Sequence, residues 1–138
     1  MATYKKRKFE EEELSCADNI AVDWKKLFDS GEKSDVTIIN HDERINAHYV
    51  VLFTRCKDIC DDIIELNNSK YLEKWSHLNQ HVVKAFLTFL YTGIIDLDLD
   101  VTGCMESAKF LCDSYPTLNF WKSYIKSISS ENEYVQSY

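Results

Sequence analysis

The sequence predicts an α+β fold, with a few short strands embedded in five or six helices. Apolar residues recur at helical spacing in several separate stretches. β-Branched residues flank one short polar turn. Glycine and proline are scarce, at three and one among 138 residues, which argues against the many turns of an all-β sandwich. It also argues against a glycine-rich nucleotide loop.

The length suits one domain. Hydrophobic residues at 45% and aromatics at 13% are too many for a chain disordered throughout. A formal net charge of −7 argues against direct nucleic-acid binding, which needs clustered positive charge. No apolar run approaches the ~20 residues that span a bilayer, so no membrane role is expected. The charged N-terminus does not resemble a secretory signal. Five cysteines, an odd number, suggest reduced thiols and an intracellular protein.

Residues 1–17 read as a charged, flexible arm, with the basic block Lys5-Lys6-Arg7-Lys8 ahead of acidic Glu10 to Glu13. The basic block also fits a nuclear-import signal, which favours the nucleus over the cytoplasm. The ordered domain is expected over residues 18–128. Its first helix carries Ile20, Trp24, Leu27 and Phe28 on one stripe, capped by Asp18 or Asn19 and closed by Gly31. Val36 to Ile39 and Arg44 to Asn46, around a polar turn, read as an antiparallel hairpin.

From Ala47 to Arg55 the chain is apolar nearly all round, which predicts the central buried helix. Asp58 to Leu66 places Ile59, Ile63 and Leu66 on a second helical stripe, broken by Asn67-Asn68-Ser69. A short strand is expected around Tyr71 to Trp75. Asn79 caps the clearest helix, with Leu78 and Val83 as a hydrophobic staple and Gly93 just past its end. Ile94, Ile95, Leu97 and Leu99 suggest a small edge strand. Two helices follow, about Val101 to Cys112 and Pro116 to Ile128, before a polar tail over residues 129–138.

No enzymatic constellation survives inspection. Gly31-Glu32-Lys33-Ser34 lacks the upstream glycine of a phosphate loop. His48 could act as a base for Cys56, but a thiol on an apolar helix is normally inert. Cys56 with Cys60, and His77 with His81, lack the remaining ligands of a zinc site. No catalytic residue, metal or cofactor is expected.

Three sequence blocks carry a family resemblance. Ser34-Asp35-Val36-Thr37-Ile38 leads through Arg44-Ile45-Asn46-Ala47-His48 to Val51-Leu52. Ala85 to Gly93 ends in Tyr91-Thr92-Gly93, and Ser107-Ala108-Lys109-Phe110-Leu111 follows. Together they resemble a BTB/POZ domain over roughly residues 20–128. That resemblance implies a helical cluster flanked by a small mixed sheet, and an interaction module rather than an enzyme. It implies self-association, with Ile20, Trp24, Leu27, Phe28 and Tyr49 as the candidate dimer interface. It also implies partners such as cullin-3, corepressors or a nuclear scaffold, in adaptor or transcription-regulator roles. Asp35 and the hydrophobic-x-Glu triplet Tyr71-Leu72-Glu73 are the candidate partner groove. The chain departs from the family at Tyr49, where the pattern keeps a basic residue that pairs with the early aspartate.

Overall fold

The structure is a computed structural model that describes residues 19–97 and 103–136, without the side chains of 129–136. The arm at 1–17, the cap at Asp18, Leu99 and Val101 lie outside the described residues.

Helix α1 runs through residues 19–30 and closes as expected at Gly31, whose φ is 67° and whose N–H reaches the Leu27 carbonyl. A Cβ there would stand 3.0 Å from Asn46 Nδ2, so both backbone angle and space favour glycine. Strands β1 (Val36–Asn40) and β2 (Glu43–Ala47) form the expected antiparallel hairpin. Val36, Ile38, Ile45 and Ala47 face the core.

Helix α2 (Tyr49–Arg55) is not the buried centre that its apolar run suggests. Val51 and Leu52 are buried, while Val50 and Phe53 face outward at 64% and 47% exposure. A seven-residue helix packed on one side can bury only one stripe. The expected second helix also changes. Helix α3 (Lys57–Asp61) ends early, and the chain turns into strand β3 (Ile64–Leu66). Asn67 and Asn68, with φ of 52° and 65°, make a two-residue turn into β4 (Ser69–Leu72). Paired left-handed residues give the tight turn a twisted hairpin needs. The strand expected at Tyr71 to Trp75 therefore starts and ends earlier. The sheet order is β2-β1-β4-β3, with β1 and β4 parallel.

Helix α4 (Gln80–Thr92) is the actual centre. Asn79 Oδ1 accepts the N–H groups of His81 and Val82, and Gly93 closes the helix with a φ of 78°. Val82, Val83, Phe86, Leu87, Leu90 and Tyr91 are all buried. No strand forms at residues 94–97, where the edge strand was expected. Helix α5 spans Cys104–Ser114, and α6 begins at Asn119 rather than Pro116, which sits in the preceding turn. The backbone of α6 stays helical to Gln136, into the stretch that the sequence reads as a tail. Trp121 and Ile125 anchor it, and Trp121 meets Phe86 at 4.9 Å between ring centroids.

The rotation of α2 has a measurable consequence. Leu52→Ala removes a fully buried leucine and is expected to cost roughly 2–5 kcal/mol in urea denaturation. Phe53→Ala, on the exposed face of the same helix, should cost under about 1 kcal/mol.

Candidate interaction surface

The junction of the first two sequence blocks is a buried clasp. His48 ends the β2 connection with 5% exposure, and its backbone N–H donates to the Tyr91 hydroxyl at 2.9 Å. Its Nδ1 lies 2.5 Å from the same hydroxyl, and its Nε2 lies 2.6 Å from the Glu32 carbonyl. A carbonyl can only accept, so Nε2 carries the proton and Nδ1 accepts from Tyr91. Burial pushes the Tyr91 phenol up to about 12, opposed by the His48 N–H and aided by the Asp35 carboxylate. Phe28 of α1 then rests on the Tyr91 ring, with centroids 4.9 Å apart.

That contact fixes only the C-terminal half of α1. Leu27 and Phe28 are half-buried, whereas Ile20 and Trp24 remain 53% and 40% exposed. Ile20 and Trp24 line a cleft of about 400 Å³ with Val50, Val51, Leu90 and Tyr91. Val50 is the surface residue that sequence reasoning missed, because a continuous apolar run does not reveal which side faces out.

The other predicted residues lie elsewhere. Tyr49 is absent from the cleft lining; it stacks on Phe53 at 6.1 Å, with Lys70 Nζ 4.3 Å from its ring centroid. Its hydrogen bond to the Cys60 thiol is the main reason its phenol is raised. Asp35 is exposed, and its Oδ1 accepts the Tyr49 N–H at 2.7 Å. Tyr71 is half-buried, Glu73 is exposed, and Leu72 is wholly buried beside Ile38 in the parallel register. Leu72 therefore offers no surface to a partner.

A comparison with family models matches the BTB/POZ domain over residues 24–115. The chain belongs to the BTB/POZ family. Among solved structures it is similar to the BTB domain of zebrafish PATZ1, with a TM-score of 0.59 and 21% identity. That match covers 88% of this chain and 94% of the other, and it supports the α+β fold of helices around a small mixed sheet. A comparison with curated proteins returned no match. BTB domains are generally protein–protein interaction modules that self-associate and bind partners. They are not a known enzyme family.

The clasp can be tested at Tyr91, which also lines the cleft, by removing only its hydroxyl. Tyr91→Phe leaves the His48 N–H and Nδ1 unpaired, and should destabilise the domain by about 1–3 kcal/mol at neutral pH. Because folding favours the neutral phenol, the stability linked to its raised pKa is complete below pH 10 and is lost as pH rises toward 12. Urea melts across this window should fall less steeply in Tyr91→Phe. The remaining slope is shared by the other groups raised above their ordinary values, the Tyr115 and Tyr49 phenols and the Cys56, Cys60 and Cys112 thiols.

Proposed function

We propose that this BTB domain joins two copies of a larger scaffold or regulatory protein through the α1–α2 face. The apolar cleft supports this reading: Ile20, Trp24 and Val50 stay exposed around it although the core beneath is filled. Large apolar side chains gathered on one patch of a small domain usually mark an interface. A two-fold arrangement would set α1 of one copy against the same face of the other, as isologous dimers require.

Light scattering of the purified chain should give twice the monomer mass at tens of micromolar. The double substitution Ile20→Asp with Trp24→Asp should give a folded monomer with an unchanged melting temperature. Both side chains are exposed in the single chain, so their loss costs little until two copies meet. Leu27 is a poorer choice, because it is half-buried. A wild-type monomer under these conditions would end the reading.

The reading is that of a binding module rather than an enzyme. Both His48 ring nitrogens are engaged, and burial is the main reason the Cys56, Cys60 and Cys112 thiols are raised. A cullin-3 adaptor role has only the triplet Tyr71-Leu72-Glu73 for support: Tyr71 is half-buried and Glu73 exposed, with Leu72, the unspecified middle position, in the core. The basic block Lys5 to Lys8 supports a nuclear setting. Residues 1–15 fused to a fluorescent reporter should concentrate it in nuclei, and Lys→Ala changes in the block should return it to the cytoplasm.

A further inference from the structure

We propose that the acidic run of the N-terminal arm, Glu10 to Glu13, folds back in cis over a second groove, on the other flank of α1. This groove, of about 500 Å³, lies between α1, the last turn of α4 and the segment after it. Its apolar part is Val22 and Ile94, which are 48% and 57% exposed. Lys25, Lys26 and Asp96 also line it. Lys25 pairs with Asp29 at 2.7 Å, but Lys26 is exposed and makes no ion pair among the described residues.

Charge and chain length both point to the arm as occupant. Phe9 and Leu14 bracket the four glutamates, so a segment of six residues carries the acids for the lysines and apolar ends for Val22 and Ile94. Upstream, Lys5 to Lys8 would then have Asp96 of the groove as an opposite charge. The reach is sufficient. Glu13 stands six residues before the first described residue of α1, a span of up to about 20 Å. Lys26 lies seven residues into that helix, only about 10 Å along its axis. A tether this short holds the acids at roughly millimolar effective concentration, so weak ion pairs and two apolar contacts suffice. The groove adjoins the Ile20–Trp24 cleft, with Ala21 and Thr92 lining both, while Val22, Lys25, Lys26 and Ile94 belong to the groove and not to the cleft.

The test uses the full chain at low salt, in an equal mixture of unlabelled and nitrogen-15-labelled protein. Carbodiimide cross-linking and mass spectrometry should join Glu10 to Glu13 with Lys25 or Lys26 within one isotopic population, far more often than with exposed Lys109. Hydrogen exchange of the arm amides should be slowed about tenfold, and the protection should vanish in Lys25→Glu with Lys26→Glu. Adding Glu→Lys at positions 10–13 to that variant should restore it. Mixed-isotope cross-links would give the groove to the arm of a second copy and overturn docking in cis. Arm exchange that ignores both charge reversals, or equal reaction at Lys109, would overturn docking altogether.

Discussion

The hydrogen-bonded pair of His48 and Tyr91 holds this domain in register. His48 belongs to the link between sheet and α2, and Tyr91 to the end of α4, 43 residues away. One hydroxyl serves two groups of His48, while the far nitrogen of the ring ties down the Glu32 carbonyl. Three elements that cannot find each other by local propensity thus meet at a buried polar point. Such a point is costly unless fully paired, and for that reason it specifies one arrangement. A second joint repeats the device at the other end of α4, where the Ser107 hydroxyl accepts the Asn79 N–H at 2.8 Å. The three sequence blocks are therefore joined head to tail through α4.

This explains why α4 and not α2 is central. Helix α4 is clamped at both ends and meets α2 on one side and α5 on the other, so nearly its whole circumference is covered. An aromatic cluster of Trp75, Phe86, Tyr115 and Trp121 fills the space around it. Trp75 Nε1 donates to Tyr115, which donates in turn to Asp62 Oδ2 at 2.8 Å. Asp62, also held by Lys74 at 3.3 Å, fixes the place where α3 ends and the chain departs toward β3.

Much of the fold was legible because it rests on local signals. Asn79, Gly31 and Gly93 mark helix ends by side-chain capping and positive φ, which any reader of the chain can find. What was not legible depended on partners far away in sequence. Ile59, Ile63 and Leu66 fit a helical stripe, and nothing local shows that Asp62 is pinned by Tyr115. The Asn67-Asn68 pair breaks a helix and also makes a tight hairpin, and pairing of β4 with β1 decides between them. The candidate surface was half-legible for a similar reason. The α1 stripe was visible, but which α2 residues stand beside it depends on the rotation that the His48 clasp imposes.

The first residue of α2 is Tyr49, where the chain departs from the family pattern. A basic residue there would reach an acid at Asp35. Here the Asp35 carboxylate takes the Tyr49 backbone N–H instead, satisfying a donor in the first turn of α2 that lacks an intrahelical acceptor. Lys70, from the neighbouring strand, brings its ammonium over the Tyr49 ring. A cation over an aromatic face is attracted by the ring quadrupole, and the ring packed on Phe53 keeps its position. The positive charge beside this corner of the fold therefore comes from Lys70 of β4. Any partner that recognises the corner meets a flat aromatic pair with one cation above it, while the aspartate already serves the backbone.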